Sequence, residues 1–425
     1  MALWAAAGAV ALGFLVALEL AARHYGLRGP LTNQVREVVF APKSAPLLYG
    51  SMALMMTVLT WRQRFIALGA AVGIDVVFFL VRLAAGAQMM PGNGALWVVL
   101  GCAVTAVTRR TGAERLLLLK GVGLALLLVA GRKAGDTWLV ITSKSRPMVL
   151  DQYVATADHA LGSPTYLAGR ILESLGPVGY HVLDWVYGQL GVAAVVVAAY
   201  QLRNVVTERR FPGHHFVRTF LVIGLLGPGI YMLFPVVGPL YAYGPDGGQW
   251  ALANLWPHTP PVPADPPVPF LFDGITPRNC MPSLHTAWAL AIFIHTRPGP
   301  KALRWFGTFW LITTIAATLG FGYHYGADII AGVVFTLTIE VAMRAFAHGW
   351  DRSAVWFTAA GTAVFTAFMV SYRYLPEQLA ALPWVSGPLL LLATGAVIAG
   401  YLRTTRQWAP AAIPAPRQER RPELV

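Results

Sequence analysis

The chain has 425 residues, of which 56% are hydrophobic and only 12% charged. A soluble globular domain carries about a quarter charged residues, so the balance excludes an ordinary water-soluble protein. The net charge of +13 does not point to nucleic acid, because no basic stripe is interleaved with aromatic residues. Basic residues of a membrane protein collect in cytoplasmic loops instead.

Apolar runs recur along the whole chain, and a run of about 18 or more such residues is a membrane-helix candidate. Helices satisfy their own backbone groups in lipid, and the alternation of a membrane barrel is absent. The expected fold class is therefore all-α, a polytopic integral membrane protein with twelve spans. These lie near 2–22, 46–60, 65–86, 94–108, 116–131, 183–202, 216–235, 282–296, 304–320, 328–346, 353–372 and 383–402. The opening "MALWAAAGAVALGFLVALELAARH" lacks a basic start and is long for a signal peptide, so it reads as the first span. Asp75 and Arg82, seven apart in the third span, share a face and read as a structural ion pair or, second, as part of another polar pathway. Residues 132–182, with "SKSRPMVLDQYVATADHALGSP", are too polar to span. Residues 236–281 are rich in Pro and Gly. Long segments of this kind are often functional. "RRFPGHHF" (209–216) reads as a juxtamembrane anchor, Glu340 and Arg344 as a structural i,i+4 pair, and "APAAIPAPRQERRPELV" as a disordered tail. Cys102 and Cys280 read as unpaired, and no zinc-type cysteine spacing exists.

Charge orients the second half. One set of loops, with the tail, carries Arg203, Arg209, Arg210, Arg297, Lys301, Arg304, Arg344, Arg352, Arg403, Arg406, Arg417, Arg420 and Arg421, and the opposite set only Arg278 and Arg373. The first set is cytoplasmic by the positive-inside rule, which puts both termini inside and residues 236–281 and 321–327 outside. Arg23, Arg28, Arg36 and Lys43 fall on the expected outer side, so residues 1–60 fit the rule less well.

Chemistry concentrates in two stretches, "CMPSLHTAWAL" (280–290) and "TLGFGYHYGADIIAG" (318–332). His285 opens the eighth span and His324 precedes the tenth, at the same outer face. Asp328 follows His324 at i+4, on the same helical side. Ionisable groups at such a depth are functional candidates. A neutral imidazole becomes a nucleophile when its far nitrogen donates to a carboxylate, as Asp328 can arrange for His324. A second histidine, His285, can protonate a leaving oxygen and later deprotonate an acceptor hydroxyl. Pro282 in a first turn, the free amides there and the Ser283 hydroxyl make an anion site. Phosphoryl transfer needs mainly positioning and charge neutralisation. Two histidines and an aspartate also suit zinc, but the expected chemistry needs no metal or other cofactor.

The same two stretches resemble the type 2 phosphatidic-acid phosphatase superfamily, in its inositol phosphorylceramide synthase-like branch. "YMLFPVVGPLYAYG" (231–244) and "LDQYVATADHALGSP" (150–164) look like further segments of that branch, and the likeness covers roughly residues 135–350. The resemblance implies a six-helix catalytic core, with His324 as nucleophile, Asp328 as its orienter, His285 as general acid and base, and Ser283 as a phosphate ligand. The chain departs from the phosphatases in having Leu284 where they have Gly, Thr318 where they have an Arg, and Leu139 where their first motif has a Lys. Their phosphate-binding cations are thus not evident. Arg278 is the first substitute, followed by Lys144 and Arg146.

The expected organisation is a five-helix region over 1–131, a catalytic membrane domain over 132–350, two helices over 351–402 and a cytoplasmic tail over 403–425. The expected function is an inositolphosphotransferase-like enzyme acting on a lipid-linked phosphate at the extracytoplasmic face. Its partners are the lipid phosphate, a hydroxyl acceptor or water, and membrane lipids, with no nucleic acid. One alternative is a lipid phosphate phosphatase. Another, of a different class, is a twelve-helix transporter, against which no paired interrupted helices stand out.

Overall fold

The computed structural model describes residues 2–39, 45–87, 92–245, 250–252, 256–270 and 276–406. Helix makes up 78% of the structure, and no strand forms among the described residues. The N-terminal helices are α1 (Ala2–His24), α2 (Pro30–Val39), α3 (Ala45–Met56), α4 (Trp61–Ala84), α5 (Gly94–Arg109) and α6 (Gly112–Ser145). Next come α7 (Asp151–Asp158), α8 (Pro164–Gln201), α9 (Val205–Glu208), α10 (Phe216–Leu233) and α11 (Pro239–Tyr243). The last are α12 (Leu284–Thr296), α13 (Lys301–Gly320), α14 (Gly326–His348), α15 (Arg352–Tyr374), α16 (Pro376–Ala381) and α17 (Pro383–Arg406).

Each expected span overlaps one of these helices, with different bounds for α3, α6 and α8. Among the described residues seven, α4, α8, α10, α13, α14, α15 and α17, are long and apolar enough to cross a membrane. The apolar helices α5 and α12, and α3 from Pro46, are shorter. The protein is thus an all-helical, multi-pass membrane protein. Lys43 and the tail beyond Arg406 lie outside the described residues.

Residues 132–182 depart from the expectation of a non-helical outer segment. α6 continues to Ser145, α7 is a buried two-turn helix, and α8 begins at Pro164. The boundary expected at 131/132 therefore falls inside α6. α8 is broken at Gly176, whose φ of 64° is left-handed, just before Pro177. Proline has no amide to continue the ladder and restricts the residue before it, so glycine takes the break. Asp75 also answers to other partners than expected. Its oxygens accept the Tyr49 hydroxyl at 2.5 Å and the Gly94 amide at 2.8 Å, tying the start of α5 to α4.

One apolar cluster runs from Met52 and Met55 of α3 through Val122 of α6 and Val197 of α8 to Ile223 of α10 and Ile292 of α12. The N-terminal helices therefore share a core with the helices that carry the histidines. A second cluster joins α7, α12, α14, α15 and α17. It sets α7 beneath the loop that precedes α14.

Candidate active site

Two loops and two helix starts build the site. α12 begins at Leu284, not at Pro282, because Ser283 is its N-cap: the Ser283 hydroxyl accepts the Thr286 amide at 3.3 Å. The Ser283 amide donates to the Asp328 carbonyl at 3.2 Å, so the start of α12 is fastened to the first turn of α14. Gly332 permits this approach, since a Cβ there would lie 2.8 Å from the Ser283 carbonyl oxygen.

The Asp328 carboxylate is fully buried. Its Oδ2 accepts the Tyr325 amide at 2.8 Å and the Cys280 thiol at 2.6 Å, and lies 3.4 Å from Nδ1 of His324. That same nitrogen is 2.9 Å from the Cys280 carbonyl oxygen. A carbonyl only accepts, so Nδ1 must carry the proton, and the lone pair of the neutral ring sits on Nε2. Burial pushes His324 down to about 4, against the pull of the Cys280 carbonyl, so the ring is neutral at physiological pH. Burial and the neighbouring Asp328 push the Cys280 thiol well up, which keeps it protonated and donating.

The rings of His285 and His324 are 6.3 Å apart. His285 keeps some exposure, and Tyr187 of α8 stacks on it at 4.2 Å with its hydroxyl 3.2 Å from Nδ1. Tyr323 lies 4.8 Å from Tyr187, so the Tyr187 ring packs against both His285 and Tyr323. Arg132 of α6 pairs with Asp136 at 2.9 Å. Sequence reading missed both residues. Tyr187 sits in an unremarkable apolar run, and Arg132 lay in a stretch taken for loop.

α7 supports the loops from below. Asp151 accepts the Val237 and Gly238 amides at 3.0 and 2.8 Å and the Tyr325 hydroxyl at 2.9 Å. Asp158 accepts the Ala327 amide at 2.8 Å. The residues are seven apart, two helical turns, and so present one face. Burial raises Asp151 to about 6, against those amides. Burial raises Asp158 to about 8, the Ala327 amide opposing and the Asp328 charge adding. At neutral pH Asp158 is therefore mostly a neutral acid that still accepts. Asp158→Asn should keep turnover within about twofold, whereas Asp158→Ala, which orphans a buried amide worth about 1–3 kcal/mol, should lower both turnover and melting temperature. Equal damage from the two would mean that the site needs a charged carboxylate there.

The three expected phosphate cations have different surroundings. Arg278 is fully buried, and its guanidinium donates to the Arg146 carbonyl at 3.2 Å, to the Thr276 carbonyl at 2.9 Å and to the Phe270 carbonyl. It clasps three loop carbonyls. Lys144 is exposed in the last turn of α6, and Arg146 is exposed on a separate groove. Cys280, His324 and Asp328 bring three possible metal ligands within 4.8 Å of one another. At the other end of the bundle Glu340 accepts His214 at 2.9 Å, His295 at 3.1 Å, Thr219 at 2.6 Å and Arg344 at 2.7 Å. The expected Glu340–Arg344 pair is present, and His214 turns inward to join it rather than serving only as an anchor.

The chain carries a PAP2 superfamily domain over residues 154–342. Both histidine stretches and the acceptor-rich face of α7 at Asp158 fall inside that match. Residues 2–141 match a second family, described as a domain of unknown function (DUF5933). No curated protein and no solved structure matches the chain. The PAP2 match thus spans both histidine stretches, while α1 to most of α6 and α15 to α17 lie outside it. A PAP2 domain on apolar helices fits a membrane enzyme of the lipid phosphatase or phosphotransferase kind.

Proposed function

We propose that the protein transfers a phosphoryl group from a membrane lipid to a hydroxyl acceptor through a phosphohistidine, at the extracytoplasmic face. The observation that carries the reading is the tautomer of His324, fixed by the Cys280 carbonyl and backed by Asp328. Nε2 attacks phosphorus and the bond from phosphorus to the lipid oxygen breaks. His285 gives its proton to that oxygen. The acceptor hydroxyl then attacks phosphorus, its proton passes to His285, and the P–N bond breaks. Tyr187 supports this role. As the acid, His285 is the imidazolium: its Nδ1–H donates to the Tyr187 hydroxyl 3.2 Å away, and the proton passed to the leaving oxygen comes from Nε2, which leaves the ring neutral and ready to act as base. The Ser283 hydroxyl, already accepting from Thr286, keeps an O–H that suits a phosphate oxygen. No step needs a metal.

A hydroxyl acceptor such as inositol is favoured over water because Leu284 stands where the phosphatases have Gly and their phosphate-binding cations are not evident. Phosphatase activity on the same lipids is the second reading, and both share the two histidines. Purified protein given labelled phosphatidylinositol, phosphatidate or polyprenyl phosphate, with chelator, separates the two. Label moving to an added polyol supports transfer, and release of inorganic phosphate regardless of polyol supports hydrolysis. Turnover of none of the lipids would sink both.

The sidedness rests on the basic asymmetry of the loops. In a Cys102→Ser background, cysteine at Val262, 81% exposed in the long loop, should react with an impermeant thiol reagent in intact cells. Cysteine at exposed Ala302, at the start of α13, should react only after lysis. The opposite pattern would invert the topology.

A further inference from the structure

A cavity of about 530 Å³ lies between the end of α6, α10 and α15, and neither histidine lines it. Its volume is that of a ligand cleft, roughly 300–1,000 Å³. Ile230, Leu233, Phe365 and Met369 line its walls, and Arg146 and Arg373 stand on it. It sits at the same end of the bundle as the active site, since the last turn of α10 reaches the start of α12 through Tyr231, whose hydroxyl donates to the Pro282 carbonyl at 3.1 Å. Arg146 and the whole of α15 lie outside the PAP2 match, while the α10 wall lies inside it, so the groove forms where flanking segments meet the matched region.

An apolar groove in a membrane protein is filled by lipid chains by default. The two guanidiniums are the feature that chains alone do not explain. No ion pair or side-chain hydrogen bond is made by the Arg146 guanidinium among the described residues. Arg373 rests on the Tyr153 ring at 4.2 Å and lies 3.9 Å from Asp265, a carboxylate whose side chain is 85% exposed. A loose contact with an exposed acid is worth little. Two cations above an apolar slot at a membrane end match the phosphate and chains of one lipid.

We propose that this groove is a binding site for an anionic phospholipid, separate from the catalytic site. The lipid phosphate lies between Arg146 and Arg373, and a chain lies along Ile230, Leu233, Phe365 and Met369. The groove is wired to the catalytic loops. The Arg146 carbonyl accepts the Arg278 guanidinium, two residues before Cys280. The wall residue Leu150 donates its amide to the Pro235 carbonyl at 2.9 Å and directly precedes Asp151, which holds Tyr325. A bound lipid therefore braces the loops that hold His324.

The test is lipid retention, so it does not depend on the reaction proposed above. The full chain is purified from mixed phosphatidylglycerol and phosphatidylcholine and examined by native mass spectrometry. Two basic residues beside one headgroup predict about a 30-fold preference for the anionic lipid. The double variant Arg146→Ala, Arg373→Ala should lose that preference. Arg146→Ala alone, which removes no contact of the fold, should cut it about fivefold. Met369→Trp, which fills the slot, should lower retention of both lipids. Equal retention of the two lipids by the unaltered protein would overturn the proposal, as would a preference unchanged in Arg146→Ala.

Discussion

His324→Ala is expected to form no phosphoenzyme and to lose at least about 10³-fold in turnover, the scale on which removal of a catalytic nucleophile acts. The reason is local. The ring is held by the Cys280 carbonyl at 2.9 Å and by Asp328 at 3.4 Å, and Nε2 is the nitrogen left with a lone pair. The substitution leaves the Tyr325 amide and the Cys280 thiol on Asp328, so folding should be little changed. Rapid quench with a labelled lipid phosphate, followed by a search for acid-labile, base-stable label, reads the outcome. pH gives a second reading. Protonation removes the lone pair, and His324 is pushed down to about 4. The rate therefore stays intact below the ordinary histidine value of about 6.5 and falls only as pH drops through about 4. A phosphoenzyme in His324→Ala would exclude this nitrogen as the nucleophile, and an acid limb near 6.5 would show that the ring is not buried and neutral as described.

The helices and the site pair were legible in the sequence for different reasons. Apolar runs report the spans because lipid leaves the backbone no other partner. His285, His324 and Asp328 were legible because ionisable side chains are scarce in such runs and the loop charges put them at one face. The Cys280 carbonyl was not legible, since a backbone group has no sequence signature. Neither was the break at Gly176, where a Gly-Pro pair within a long polar segment read as loop. Arg278 illustrates the limit best. Its charge and its place before the motif suggested a phosphate contact, but residue type says nothing of where a guanidinium turns, and here it turns to loop carbonyls. His214, read by its neighbours Arg209 and Arg210 as surface, is drawn inward by Glu340, 126 residues away.

His285→Ala is expected to fail in a way that depends on the substrate. The nucleophile remains, so attack at phosphorus is still possible, but the departing alkoxide lacks a proton donor. With an alkyl lipid ester the loss should be about 10²–10⁴-fold, the usual contribution of a general acid. With an aryl phosphate, whose leaving oxygen needs no proton, most of that loss should vanish. Tyr187→Phe offers the graded companion. It keeps the ring stacked on His285 at 4.2 Å but removes the hydroxyl 3.2 Å from Nδ1. A hydrogen bond to the charged ring is worth about 1.5–3 kcal/mol, so the lipid ester should slow by roughly 10- to 100-fold and the aryl ester hardly at all. Single-turnover rates of phosphoenzyme formation by the three proteins on both esters decide it, because the second step, which also uses His285, is common to the two. If His285→Ala slows the aryl and the lipid ester equally, the proton does not come from His285, and the acid must be sought among the other groups of the cleft, beginning with Tyr187 itself.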